Sequence, residues 1–233
     1  MACILHIETS TKVCSVAVSK DGLCVFSKED LNGPNHAVIL GVFIDEALSY
    51  VDSAGLMLDA VSISKGPGSY TGLRIGVSMA KGICYARDIK LLGIDTLKLL
   101  AVPILLEHEI EDDALIVPML DARRMEVYDA VYDKALKTIQ PTGAHIIDET
   151  TYKDLLDKHT VYFFGNGSEK CKEKIVHPNA KFIDNINPLA KYMLPLADRE
   201  YADGNYCDVA YFVPYYLKDF VTTKAKSPFQ EKK

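Results

Sequence analysis

The residues best placed to do chemistry lie in one run, Lys65-Gly66-Pro67-Gly68-Ser69-Tyr70-Thr71-Gly72-Leu73-Arg74-Ile75-Gly76. Residues 59–64 before it alternate apolar and small side chains, as a buried strand does. After it, Leu73, Val77, Ala80 and Cys84 recur at helical spacing. Positions 66–72 between them hold Gly66, Gly68, Gly72, Pro67 and the hydroxyls of Ser69 and Thr71. Such a turn can present free backbone N–H groups at a helix start, which is the geometry of an anion cradle with Ser69, Thr71 and Arg74 as its contacts. The same residues also make a plain tight turn from strand to helix.

Other reactive residues are scattered. The six histidines form no H-E-x-x-H or H-x-x-x-H pair. No G-x-x-x-x-G-K-[ST] phosphate loop and no G-x-S-x-G nucleophile elbow is present. The stretch Glu8-Thr9-Ser10-Thr11-Lys12 sets an acid and hydroxyls at a strand end, where a phosphate or metal could sit, but it lacks the glycine that lets a backbone approach a phosphate closely. Asp121-Ala122-Arg123-Arg124, at the end of an apolar run, reads either as a solvated turn with Arg–Asp pairing or as an anion or partner contact.

Composition narrows the class. The 233 residues are 48% hydrophobic and 25% charged, as in a globular protein with a real core. A net charge of −6 argues against a stand-alone nucleic-acid binder, which would need clustered Lys and Arg, and leaves nucleic acid to be met only through a basic partner. The six cysteines show no C-x-x-C spacing and suit buried thiols in a reducing cytosol. No apolar run approaches spanning length, so no membrane is expected and the localisation reads as cytoplasmic.

The elements that must position these residues follow the order β-β-β-α-β-α-β-α. Strands are expected at 3–8, 13–19 and 23–28, with Asp21-Gly22 as a hairpin turn. Helix 36–51 follows, with Asn35 as its N-cap, then strand 60–64, the glycine loop with its helix, strand 90–94, and helix 96–106 with a break near Pro103. That order is the one of a ribonuclease-H-like lobe. After an acidic link the chain starts again, with strands at 115–120, 126–133, 144–147 and 161–165 and a helix at 151–158. Residues 1–106 thus form an N-terminal lobe carrying the glycine loop and two interface helices, and 107–185 a smaller second lobe. Residues 186–217 pack back on the first, and 227–233 form a disordered tail. On helix 36–51, Leu40, Ile44, Ala47, Leu48 and Val51 make an inward stripe, yet Val38, Ile39, Val42 and Phe43 leave the other side apolar too. Gly72, Gly76 and Ala80 line one face of the next helix, so another helix can approach it closely.

These pieces resemble the TsaB (YeaZ) family of bacterial threonylcarbamoyladenosine synthesis. The resemblance rests on Ile7-Glu8-Thr9-Ser10-Thr11, His36 with Ile44-Asp45-Glu46-Ala47-Leu48, 66–76 with Ala80-Lys81-Gly82, and Pro118-Met119-Leu120-Asp121-Ala122-Arg123. It continues through Gly165-Asn166-Gly167 and Pro214-Tyr215-Tyr216-Leu217, in family order over nearly the whole chain. The resemblance implies an α/β, two-lobed fold of the actin and sugar-kinase (ASKHA) type in degenerate form. It also implies a non-catalytic scaffold without a cofactor of its own, ATP or ADP and metal belonging to partner subunits. Its partners would be a TsaD-like catalytic subunit and a TsaE-like ATPase, with a homodimer when it is alone. The TsaD-like relative carries an H-x-x-x-H metal pair where this chain has Thr96 and Leu100, and leucine cannot bind a metal. Glu8 stands where the family has aspartate. His36, Leu40, Phe43, Gly72, Leu73, Gly76 and Ala80 are the expected partner contacts. The alternative is an independent actin-fold phosphotransferase or a glycoprotease-like peptidase.

Overall fold

A computed structural model describes residues 2–33 and 35–218. β1 (Cys3–Glu8) pairs antiparallel with β2 (Cys14–Lys20), which pairs antiparallel with β3 (Leu23–Asp30). Asp21 and Gly22 turn β2 into β3 with φ of 53° and 80°, the two left-handed positions that a tight hairpin demands. β4 (Ala60–Gly66) and β5 (Lys90–Asp95) add in parallel on the far side of β1. The crossovers are α1 (His36–Ser53) and α2 (Tyr70–Arg87), and α3 (Thr96–Glu107) leads to the second lobe.

There β6 (Leu115–Asp121), β7 (Glu126–Tyr132) and β8 (Thr138–Ile146) form an antiparallel meander. β9 (Val161–Phe164) and β10 (Ala180–Ile183) extend it in parallel from β6, and α4 (Lys153–Leu156) precedes β9. The sheet orders are β3-β2-β1-β4-β5 and β8-β7-β6-β9-β10. Position for position the second repeats the first, parallel and antiparallel pairs included. This is the duplicated plan of the actin and sugar-kinase fold, carried by two sequences with no visible repeat.

One face of the first sheet buries Leu5, Ile7, Val16 and Ile63 under Leu40, Ile44, Val51, Val77 and Ala80 of α1 and α2. Its other face, with Ile4, Ala60 and Leu92, meets Leu99 of α3 and Ala197 of α5 (Leu194–Ala202). α3 turns its remaining sides, Leu97, Leu100, Ala101 and Ile104, onto Ile116, Ala130 and Phe164 of the second sheet. From Leu99 to Ile104 it is buried all round because it is the shared core of both lobes, and it reaches solvent at Leu106 and Glu107. The helix runs through the buried Pro103 without ending there, contrary to the expected break.

Several other expectations are corrected. Asn35 sits at the N-cap of α1, but its side chain makes no capping hydrogen bond. β8 begins six residues before its expected start, since Gln140 and Pro141 on an exposed edge hid its alternation, and α4 is a single turn. β10 and α5 carried too few apolar residues to be anticipated. From the last segment, Ala190 N donates to Ser15 Oγ (2.9 Å), Cys207 bridges to Leu91, and Tyr215 N donates to Lys65 O (2.6 Å). The expected tail at 227–233 lies outside the described residues.

The partner-contact residues need the largest correction. His36, Leu40, Gly72, Leu73, Gly76 and Ala80 are buried within the chain, and only Phe43 stays half-exposed. His36 Nε2 lies 3.0 Å from the Val13 carbonyl. The small-residue stripe of α2 faces its own sheet: a Cβ on Gly76 would overlap Thr9 Oγ1 and come within 2.9 Å of Ile63 Cδ1. Gly76→Leu should therefore destabilise the fold by about 2–3 kcal/mol or more through overpacking. Gly82→Ala, on the outer side of α2 with nothing within 4 Å, should stabilise it by about 0.5–1 kcal/mol. Denaturant melts of both variants check the pair, and a neutral Gly76→Leu would sink the inward assignment.

Candidate functional site

Between the lobes lies a cleft of about 520 Å3. Its first-lobe wall is the β1–β2 turn (Ser10, Thr11, Lys12) and the glycine loop (67–71). Its second-lobe wall is Leu120–Arg123, Tyr128 and Asn166, and residues 215–218 close one side. Ser69 and Thr71 thus reach the cleft as expected candidates, whereas Arg74 does not line it. The Arg74 guanidinium lies 5.0 Å from the centre of the Tyr70 ring and its Nη1 donates to Tyr70 OH at 2.9 Å. Tyr70 in turn packs on Tyr216, ring centres 5.0 Å apart.

The glycine loop has a different occupation from an open cradle. Ser69 N donates to the Ser10 carbonyl (2.6 Å), Thr9 Oγ1 donates to Gly72 O (2.8 Å), and Gly72 N donates to the Ser69 side chain (3.2 Å). A Cβ on Gly72 would overlap the Thr9 carbonyl. The glycines exist so that the β1–β2 turn can lie against the start of α2. Of the two readings of this loop, close strand-to-helix docking accounts for its geometry.

Glu8 braces that turn from beneath. Its Oε1 accepts hydrogen bonds from Ser10 N (2.5 Å) and from Ser10 Oγ, while Oε2 is buried without a hydrogen-bond partner among the described residues. Burial pushes its carboxyl up to about 7, against the opposing hydrogen bonds from Ser10. Behind it, His6 lies between Ser62 Oγ (2.7 Å from Nδ1) and Ser19 Oγ (2.8 Å from Nε2), and burial lowers its pKa to about 3. Ser62 Oγ also lies 3.5 Å from Met193 Sδ. His6 is thus a neutral support, and Glu8 is a buried support that is protonated below neutral pH; neither lines the cleft.

Where the resemblance would put metal ligands, Thr96 and Leu100 are fully buried in the α3 core. These residues do not fit a metal. Among the described residues no group of three or more His, Cys, Asp or Glu could hold one. Among the described residues no helix is long and apolar enough to cross a membrane.

Lys12, Tyr128, Asn166 and Tyr215–Lys218 were not anticipated as companions of Arg123. The sequence signals were Gly165-Asn166-Gly167 and Pro214-Tyr215-Tyr216-Leu217: Asn166 Oδ1 accepts from Asp121 N at 2.9 Å, and Gly167 N donates to Met119 O at 3.0 Å. The Asp121 carboxylate accepts from Arg123 N (3.1 Å) and pairs with Lys170. Arg123 and Arg124 both hold left-handed backbone, φ 74° and 51°. An L-residue there costs roughly 1–2 kcal/mol, and Asn or Gly would form such a hairpin loop with less strain.

The chain was compared with known proteins. A family model described as TsaD, tRNA N6-adenosine threonylcarbamoyltransferase, matches residues 30–225. The tRNA threonylcarbamoyladenosine biosynthesis protein TsaB of Haemophilus influenzae is 29% identical over 98% of this chain and 98% of its own. The protein of the same name from Buchnera aphidicola subsp. Schizaphis graminum is 30% identical over 77% of this chain and 90% of its own. The solved structure of YeaZ from Pseudomonas aeruginosa superposes with a TM-score of 0.74 at 24% identity, covering 93% of this chain and all of that one (100%); it bears on the fold alone.

Glu8 yields a pH prediction. Its pKa is raised on folding, so its contribution to stability is full below pH 4.5 and is lost as pH rises towards 7. His6 has the opposite sign, losing stability as pH falls below 6.5. Comparing Glu8→Gln with the parent isolates the first effect. The variant should gain on the parent by about 1.4 kcal/mol per pH unit between roughly pH 4.5 and 7, then level off. Urea denaturation across pH measures this, and a pH-independent difference would show that Glu8 is ionised in the fold.

Proposed function

The chain belongs to the TsaB family of threonylcarbamoyladenosine biosynthesis proteins, and from that premise we propose that it is a non-catalytic subunit that pairs with a TsaD-type transferase. The observation that carries this reading is the outer face of α1 and α2. Both helices bury one side on the first sheet, yet Val38 is 74% exposed, Val42 54% and Tyr85 86%, with Met79 beside them at 36%. Asp52 and Arg87 tie the helix ends together (3.5 Å). Gly41 and Gly82 interrupt this face with nothing within 4 Å, leaving room for a partner helix to approach closely. Apolar side chains around glycine gaps favour a helical, apolar partner over solvent.

The cleft supports the non-catalytic half of the reading. Its imidazole support is buried and neutral, its carboxyl support is buried and does not line the cleft, and the ligand positions on α3 are spent on packing. Threonylcarbamoyl transfer then takes place on the partner, and this chain contributes by holding that partner in its working form. The same face pairs two copies when the enzyme is absent, and a TsaE-type ATPase joins the assembled pair, as the family resemblance implies.

Size-exclusion chromatography with light scattering, alone and mixed with the TsaD-type protein of the same organism, tests the pairing. The expected result is a new species at the summed mass, with tRNA modification only in the mixture. Gly41→Leu and Val42→Glu should each abolish it while the melting temperature holds or rises. Folded variants that still co-elute would remove this face as the interface, and turnover by the chain alone would overturn the non-catalytic assignment.

A further inference from the structure

Asn-Gly occurs at Asn32-Gly33 and at Asn166-Gly167. Such a step carries its own electrophile and nucleophile. The side-chain amide carbon of asparagine lies within five-membered-ring reach of the next backbone nitrogen, and glycine puts no Cβ in the way. Whether the ring can close depends on what holds the two amides, and the fold holds them differently.

At Asn166-Gly167 both groups are engaged. Asn166 Oδ1 accepts from Asp121 N (2.9 Å), Gly167 N donates to Met119 O (3.0 Å), and Gly167 is buried. A Cβ on Gly167 would come within 2.8 Å of the Leu120 carbonyl carbon, so its nitrogen reaches the side chain only after local opening. Asn32-Gly33 lies in the link between β3 and α1. Asn32 is exposed, and its backbone N–H donates to Asp30 Oδ1 (2.9 Å). Its side-chain amide has no hydrogen-bond partner among the described residues, and neither has the Gly33 N–H.

We propose that Asn32 is a site of self-modification, converted with water as the co-reactant to aspartate and isoaspartate, and that the change loosens the seat of α1. Gly33 N gives up its proton to hydroxide and attacks Asn32 Cγ. The new C–N bond forms as the Cγ–Nδ2 bond breaks, and ammonia leaves, having regained the proton. Water then opens the cyclic imide, its hydroxyl staying on the carbonyl carbon and its other proton returning to nitrogen. Opening at Cγ gives aspartate. Opening at the main-chain carbonyl leaves the chain running through the side chain, as isoaspartate. Either product adds a negative charge, and isoaspartate inserts a methylene before Gly33. Gly33 is packed so closely on the first lobe that a Cβ there would overlap the Lys12 carbonyl, and His36 Nε2 lies 3.0 Å from the Val13 carbonyl. The added length therefore falls where the start of α1 rests on the end of the β1–β2 turn. The reaction needs neither a partner protein nor the cleft.

Peptide mapping by mass spectrometry of the full chain, aged at mildly alkaline pH both folded and in urea, tests it. In urea the two asparagines should convert at comparable rates. In the folded chain Asn32 should stay within about tenfold of its rate in urea, and Asn166 should fall at least about tenfold behind Asn32. The isoaspartyl fraction is read separately, as methyl groups accepted from S-adenosylmethionine in the presence of an isoaspartyl carboxyl methyltransferase. Asn32→Gln, whose attack would need a six-membered ring, should fold as the parent does and accept almost no methyl groups after ageing. The aged parent should melt at a lower temperature than the fresh one, and aged Asn32→Gln should not. Equal rates at the two asparagines in the folded chain, methyl acceptance that survives in Asn32→Gln, or an aged parent that melts like the fresh one overturns the proposal.

Discussion

The structure hangs on the contact between the turn that follows β1 and the first two turns of α2. Thr9 and Ser10 meet Gly72, Gly76 and the amide of Ser69 at distances only glycine permits. From that contact α2 acquires its orientation. Its small stripe goes inward, and Met79, Gly82 and Tyr85 must go outward. The same contact takes up the Ser69 amide, while the Ser69 hydroxyl caps Gly72 N within the loop and Thr71 stays on the cleft wall. A single constraint thereby occupies part of one candidate site and turns a candidate interface outward. Glu8 belongs to this arrangement because its buried carboxyl accepts from Ser10 N and Oγ, while burial keeps it protonated below neutral pH.

Much of the first lobe was legible because its chemistry is local. Asp-Gly at 21–22, the apolar alternation of β1 and β2, and the helical spacing of α1 and α2 are written in neighbouring residues. Which side of a helix faces in was harder to read. On α1 both sides are apolar, and Leu40 and Val38 differ only in what lies beyond them, which no local pattern carries. On α2 a small-residue stripe serves equally well for a sheet, a turn or a foreign helix. Only the Cβ clearances at Gly76 and Gly82 separate those uses. The cleft was barely legible because it gathers Lys12, Arg123, Asn166 and Tyr215 from distant parts of the chain, and residues far apart in sequence share no periodicity.

The duplication of the sheet order without a duplicated sequence has a physical reason. A strand order is preserved by any residues that alternate correctly and bury one face. The two lobes cover their sheets differently. The first uses two long helices, which leave broad outer faces. The second covers Val117, Val127 and Phe163 with short segments bearing Leu156, Cys171 and Ile175. Equivalent architecture therefore leaves helix faces free for a partner on one lobe only.

α3 shows how packing between two sheets dictates which side chains a central helix can carry. It must fill the space between two sheets, so its inward positions are spent on packing, with Thr96 leaving a buried hydroxyl that has no hydrogen-bond partner among the described residues. Leu100 lies so close to Gly165 that a Cβ there would come within 2.6 Å of Leu100 Cδ2. Restoring a histidine at Leu100 would place a ring where a compact aliphatic side chain locks the start of the Gly165-Asn166-Gly167 turn. That turn supports Asp121 and, through it, Arg123. Metal-binding side chains on α3 and the present aim of Arg123 into the cleft thus compete for the same few ångströms of core. In this chain the core has settled in favour of the arginine.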